Sequence, residues 1–419
     1  MFESVVLRTA VHGFSPQPPC PLSPLRVALL LDPLAVTLGH SLQLRFKWAH
    51  HAPKLAQELL GRGYSVRGFG APPGLIPRSS ELEFDGREAS AWWNALQSFE
   101  PDVLLSYDAL SPAALRGARM ARKLDAGLVL VEDAAPGGGP WYQRFLKRTG
   151  ELCWGPFVRR TADAVVALDR PARELALEEG FDRDRVHVIP HGVDVHEFRP
   201  GLTSRLVSRH RIRGRILLFI GRLREDRGLH ELVTAFARTV GQRSDWNLVL
   251  VGDGPYAPTL RATVGRLGIG DRVHWLSHVR REELPGLVGA STLFAVPALT
   301  DRVNAHHVAR AMACGLPVVC ADVERLRSLV EHEHNGLIVA PGDIEAWTDA
   351  LRRVASSPVA RDRWAENGRR IAEERLSWEA VTSRFEEVFE LALQQAALRR
   401  GASRQEGDPA PAEGQGEPS

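Results

Sequence analysis

The sequence predicts an α/β protein of two Rossmann-like, doubly wound domains facing a central cleft. Three observations carry that reading. Short apolar runs alternate with helical patterns between residues 25 and 168, the order of a parallel sheet covered by helices. The same alternation restarts after Pro200. A length of 419 residues suits two or three domains of ordinary size.

Residues 1–24 read as an irregular leader rich in Pro and Ser. The first domain then spans 25–200. Its first strand is Leu25–Leu31, an apolar run closed by Asp32-Pro33. A helix follows and ends near Leu59-Leu60, where Gly61 and Gly63 stop it. Tyr64–Phe69, Val103–Ser106, Gly127–Val131 and Ala164–Leu168 read as further strands. The second domain spans 201–376. Ile216–Ile220, Trp246–Val251, Val273–Leu276, Thr292–Val296 and Pro317–Cys320 read as its strands. Gly228–Val240, Pro258–Leu267 and Ala305–Ala313 read as helices between them. A last helix over 377–400 has Val381, Phe385, Val388, Phe389, Leu391 and Leu393 at helical spacing and is expected to cross back over the cleft. The tail, 401–419, is too polar and too rich in Pro, Gly and Glu to bury a core and reads as disordered.

Composition narrows the function. The chain is 44% hydrophobic and 25% charged, ordinary values for a globular protein. Its net charge of +2 offers no global field to draw in nucleic acid. No apolar run approaches the roughly 20 residues of a membrane-spanning helix. The N-terminus lacks the pattern of a signal peptide. Four cysteines are sparse and without metal spacing, with Cys314 and Cys320 in apolar stretches, so buried thiols in a cytoplasmic setting are expected.

Three segments carry the chemistry. The first is Val188-Ile189-Pro190-His191-Gly192-Val193-Asp194, followed by Phe198 and Pro200. The second is Phe219-Ile220-Gly221-Arg222-Leu223 with Arg227-Gly228 behind it. The third runs from Ala311-Met312-Ala313-Cys314-Gly315-Leu316-Pro317 to Asn335-Gly336-Leu337 and Pro341-Gly342-Asp343. In the second, a strand ends at Gly221, and Arg222 and Arg227 flank the start of a helix. Free N–H groups and two guanidiniums there suit a diphosphate. Two solvated arginines on a surface turn are the plainer alternative.

Together with Val251-Gly252-Asp253-Gly254-Pro255, these segments resemble the retaining glycosyltransferases of family 4, which have the GT-B fold. The resemblance is strong over about 160–345 and fainter over 25–135. It implies retaining transfer of a hexose-like sugar from a nucleotide-diphosphate donor to a glycan or lipid-linked acceptor, as in polysaccharide biosynthesis. It places Arg222 and Arg227 on the leaving group as the catalytic pair. Gly221 lies at the phosphates, Gly39 offers its backbone N–H to them, and His191 borders the donor. No metal and no further cofactor are implied, and Asp182-Arg183-Asp184 reads as turn chemistry rather than a metal motif.

The pattern departs from the family at two positions. Where the family has two glutamates with seven residues between them, one on the donor sugar and one on the ribose, this chain has Arg302 and Arg310. A carboxylate accepts hydrogen bonds from hydroxyls, whereas arginine only donates. A Gly-Gly pair expected downstream is replaced within Glu324-Arg325-Leu326-Arg327-Ser328. The resulting expectation is one cleft holding Arg222, Arg227, Arg302 and Arg310, joined by Arg325 and Arg327, and suited to an anionic ligand. An active transferase with altered donor contacts, a catalytically inactive relative serving as a partner of another glycosyltransferase, and an anion-binding module all follow from such a cleft.

Asp301 and the pair His306 and His307 are further donor-side candidates, the first read as an exposed turn carboxylate. Asp133, beside Gly137-Gly138-Gly139, is expected to line the acceptor cleft. Aromatic and basic residues over 141–160, among them Trp154, Phe157 and Arg159, suit either peripheral contact with the inner face of a membrane or an ordinary domain helix. Glu331-His332-Glu333-His334 lacks metal spacing and reads as an exposed turn.

Overall fold

The structure is a computed structural model and describes residues 24–30, 51–69, 84–85, 89–133, 148–239, 245–303 and 305–407. It contains two parallel sheets. The first has seven strands: β1 (Arg26–Leu30), β2 (Ser65–Phe69), β3 (Phe84–Asp85), β4 (Val103–Tyr107), β5 (Gly127–Glu132), β6 (Ala164–Ala167) and β7 (Val186–Val188). Their order is β3-β2-β1-β4-β5-β6-β7. The second has six: β8 (Arg215–Ile220), β9 (Trp246–Val251), β10 (Val273–Leu276), β11 (Leu293–Val296), β12 (Val318–Ala321) and β13 (Gly336–Val339), in the order β10-β9-β8-β11-β12-β13.

The expected pair of doubly wound domains is thus present. Strands such as β5 and β9 are buried along their whole length because helices cover both faces, which is why they read as apolar runs broken only by Glu132 and Asn247. In each sheet the direction of winding reverses beside the first strand, at β1/β4 and at β8/β11. Ligands of such folds bind outside the strand ends at that reversal.

Strand β13 was not expected from the sequence. It is four residues long and opens on a glycine, so it carries little periodic signal. The glycine is required, because a Cβ at Gly336 would lie 2.1 Å from the Val318 carbonyl oxygen.

The chain crosses between the sheets twice, side by side. Val193 N–H donates to Leu376 O at 2.8 Å, and Trp378 N–H donates to Val193 O at 3.2 Å. The Trp378 ring lies on Gly192, where a Cβ would come within 2.4 Å of it. The final helix, Trp378–Gly407, then returns to the first sheet and buries Val381, Phe385, Val388, Phe389 and Ala392 against Val27, Val103 and Val129. It runs past Arg400 into the stretch expected to be disordered, and residues 408–419 lie outside the described residues. Leu391, expected on its apolar face, is 42% exposed. Cys314 and Cys320 are buried, while Cys153 is exposed.

Candidate functional site

The loop leaving β8 is shaped by backbone contact. Gly221 N–H donates to Val251 O at 2.9 Å, and Leu223 N–H to Asp253 O at 3.0 Å. Gly252 has φ +132°, and a Cβ there would fall 2.0 Å from Gly221 O, so the two strand ends approach only because a side chain is absent. Arg222 projects from this loop, exposed, with no hydrogen bond or ion pair among the described residues. Arg227 closes a short 3₁₀ turn, Glu225–Arg227. Gly228 follows at φ +63°, where a Cβ would overlap Pro297 O at 1.6 Å. The helix Leu229–Arg238 begins only then. Arg227 alone therefore lies beside the helix start, and Arg222 sits back in the loop.

Arg227 lines a small hollow with Gly221, Ala298, Val303 and His307, at the β8/β11 reversal. Its Nε is buried and has no hydrogen-bond partner among the described residues. The nearest carboxylate, Asp226, is 4.0 Å away. Burial pushes the guanidinium pKa down; Arg224 and Arg302 push the same way, and Asp226 opposes them. A desolvated cation with an open donor is a site that gains from an anion.

A second, more open hollow lies beside the first. The helix Ala305–Ala313 separates them, with His307 lining the first and His306 and Arg310 lining the second. The two histidine rings are 4.2 Å apart. Lys54, His191, Asp194, Glu197, Arg281 and Trp378 are among the other residues around the second hollow. The Arg310 guanidinium lies 5.2 Å over the Phe198 ring, and its Nη1 is 3.4 Å from His307 Nδ1. Burial, aided by Arg281 and opposed by Glu197, pushes its pKa down to about 10.

Lys54 Nζ donates to Asp194 Oδ2 at 3.1 Å. Asp194 Oδ1 accepts from the N–H groups of His196 and Glu197 at 3.1 and 2.9 Å. Burial works to raise the Asp194 carboxyl, but these bonds hold it below the usual range. His51, buried, shares a 2.9 Å hydrogen bond between Nδ1 and the Tyr107 hydroxyl. Burial first, and His191 second, push its pKa down to about 3, so it is neutral near pH 7. His191 lies edge-on to His51 at 5.5 Å, with Nε2 3.6 Å from Asp133 Oδ1.

The single arginine-lined cleft expected from the sequence is not what the structure holds. Arg227 and Arg310 serve different hollows. Arg302 is exposed and near enough to Arg227 to repel it. Arg325 is 8% exposed and reaches into the first domain. Its Nε lies 2.7 Å from Asp169 Oδ2, and its Nη1 3.8 Å from Asp133 Oδ1. Burial raises the Asp169 carboxyl, and Arg325 opposes that shift. Arg327 is exposed and pairs with Asp322. Asp301, read as an exposed turn carboxylate, accepts the Arg325 N–H at 3.0 Å. Asp133 does face the space between the domains, held by this same arginine and by His191.

Gly39 lies outside the described residues, as do Gly137-Gly138-Gly139 and residues 141–147. Of the aromatics that suggested a membrane surface, Trp154 donates its indole N–H to Leu110 O at 3.1 Å, and both it and Phe157 pack on the first domain's core. No described helix is long and apolar enough to cross a membrane. Glu331–His334 form a turn in which His332 Nδ1 accepts from Ile338 N–H at 3.0 Å and Glu333 pairs with Arg353 at 2.6 Å.

Sequence reasoning missed Lys54, Asp169, Glu197, Arg281 and Trp378. Glu197 was the nearest to detection, being three residues beyond Asp194 in a segment already singled out. The others converge only through the tertiary fold.

A family model described as "Glycosyl transferases group 1" matches residues 205–371, and one described as "Glycosyl transferase 4-like domain" matches residues 27–192. A D-inositol 3-phosphate glycosyltransferase of Xylanimonas cellulosilytica is 32% identical over 296 residues, covering 68% of this chain and 66% of that protein. An MMP alpha-(1->4)-mannosyltransferase of Mycolicibacterium hassiacum is 29% identical over 266 residues, covering 61% of each chain. The matched region thus spans 66% or less of these curated relatives' length. The crystal structure of Anabaena HepE in complex with UDP and glucose superposes with a TM-score of 0.67 at 18% identity, covering 87% of this chain and 99% of that one, a likeness of fold.

Proposed function

The chain belongs to the group 1 glycosyl transferases and has their GT-B architecture, and from that premise we propose that it transfers a hexose-like sugar, with retention, from a nucleotide diphosphate to a glycan or lipid-linked acceptor. The observation that carries this reading is Arg227: a half-buried guanidinium whose buried Nε has no hydrogen bond among the described residues, beside Gly221 at a sheet's point of reversal. As the sugar–phosphate bond breaks, negative charge grows on the departing diphosphate. Arg227 meets it as a fixed donor and Arg222 as a mobile one. Removing one such preorganised donor costs roughly 10²–10³ in rate. The two guanidiniums supply the positive charge, so this reading asks for no metal. Gly39 would add a backbone N–H on the first domain's side, His191 would border the donor, and Asp133 would line the acceptor cleft.

The names of the relatives support a sugar-transfer activity, and UDP with glucose in the HepE complex makes UDP the first nucleotide to try. A cytoplasmic enzyme working at the inner membrane face, alone or beside another transferase, belongs to the same proposal. Calorimetric titration with UDP, GDP, ADP and their sugars tests it. Saturable binding of one nucleotide, abolished by Arg227→Ala, is the expected result. A folded protein that binds none of them would overturn the reading.

A further inference from the structure

The second hollow has a chemistry of its own. Arg310, at the position where the resembling family carries the glutamate that holds ribose hydroxyls, can only donate hydrogen bonds. A hydroxyl clasp also needs an acceptor, and the hollow contains two carboxylates, Asp194 and Glu197. Asp194 is committed: one oxygen takes two backbone N–H groups and the other takes Lys54. The Glu197 carboxylate is half-buried and has no hydrogen bond or ion pair among the described residues. It is close enough to Arg310 to oppose the fall in that residue's pKa. His191 leans on Asp133, and His51 on Tyr107, so neither offers a free anionic acceptor. Phe198 beneath Arg310 and Trp378 on Gly192 give the hollow an apolar wall.

We infer that Glu197 is the residue that reads the nucleoside's sugar hydroxyls, the carboxylate having moved from the helix at position 310 to the interdomain linker. This rests on the nucleotide-diphosphate reading above. Glu197 accepts hydrogen bonds from two adjacent hydroxyls, as a carboxylate's two oxygens allow, and Arg310 donates to their lone pairs. The two hollows flank the start of the Ala305–Ala313 helix, on either side of the adjoining His306 and His307 rings, so a ligand with its diphosphate at Arg227 reaches Glu197 with its nucleoside by passing over that helix start. The linker that carries Glu197 is the segment hydrogen-bonded to the returning chain at Leu376 and Trp378, which makes it a fixed base for recognition rather than a loose loop.

The test uses the full-length protein and three probes: the nucleoside diphosphate that binds, its 2′,3′-dideoxy analogue, and inorganic pyrophosphate. Wild type is expected to prefer the ribose form by about tenfold or more, as a site built around hydroxyls does when they are removed. Glu197→Gln keeps the shape and should bring the two nucleotides within about threefold of each other, leaving pyrophosphate affinity unchanged. The double variant Glu197→Gln/Arg310→Glu returns a carboxylate to the hollow and should recover the preference. If Glu197→Gln keeps the full preference, the inference fails while the nucleotide site stands. If wild type binds pyrophosphate but no nucleotide, the nucleotide reading fails and takes the inference with it.

Discussion

Arg227, half-buried, and Arg325, buried, are two arginines of the same domain, and their partners set them apart. Arg325 has Asp169 at 2.7 Å and Asp133 at 3.8 Å, both carried by the other domain, and is a clamp. Arg227 has one carboxylate neighbour, Asp226, no nearer than 4.0 Å to its Nε. Burial alone therefore does not mark a functional cation. A buried cation whose charge is answered from within is structure, and one whose charge is left open awaits a ligand.

The comparison breaks most sharply at the clamp. Arg325→Ala leaves Asp169 and Asp133 in the interdomain space without their cation. Removing one partner of a buried pair costs about 3–5 kcal/mol, and chemical denaturation should show a loss of that order. The loss should also depend on pH. Asp169 has a raised carboxyl in the folded protein, so the folded state binds this proton more tightly than the unfolded one. Its contribution to stability is then greatest at low pH and declines as pH rises through its titration. Without Arg325 that carboxyl rises further, so the variant should be least stable relative to wild type near neutrality and recover ground on acidification. A pH-independent difference would mean that Arg325 holds the domains by packing rather than by charge.

Arg227→Ala should behave in the opposite way. Its one carboxylate neighbour, Asp226, keeps two hydrogen bonds from Arg224 at 3.1 Å, so folding stability should stay within about 1 kcal/mol of wild type. Nucleotide binding should disappear, and transfer, once the donor is known, should fall by roughly 10²–10³. A variant that loses stability and keeps binding would exchange the roles of the two arginines. Parallel denaturation and calorimetry on both variants would decide between them.

The same contrast explains what the sequence could reveal. Trp246–Val251 is apolar except for Asn247 because it is buried on both faces, so its place in the sheet was legible. Gly221 and the arginines behind it were legible because strand, glycine and turn follow one another along the chain. The grouping of the other arginines was not. Arg325 and Asp133 are 192 residues apart, and no local pattern says that they meet. Arg310 and His307 leave the same helix toward different hollows, a matter of rotation that a run such as Ala305–Ala313 does not encode once both faces carry polar residues. Glu197 was hidden for a simpler reason: it is one acid in a linker, and only the commitment of Asp194 to Lys54 and two N–H groups singles it out.

Arg327 sharpens the comparison from its other end. It too comes from the stretch expected to join an arginine-lined cleft, and it too has a carboxylate partner, Asp322. That partner is local, and the pair lies in solvent with the Arg327 side chain 51% exposed. An exposed pair gains little, because water and salt screen it and two long side chains lose freedom in forming it. Arg327→Ala should leave the denaturation midpoint and nucleotide affinity where they are in wild type, at low and at high salt alike. If affinity falls instead, Arg327 contributes to the ligand's field at a distance, and the partition of these arginines into clamp, site and surface would need a fourth class.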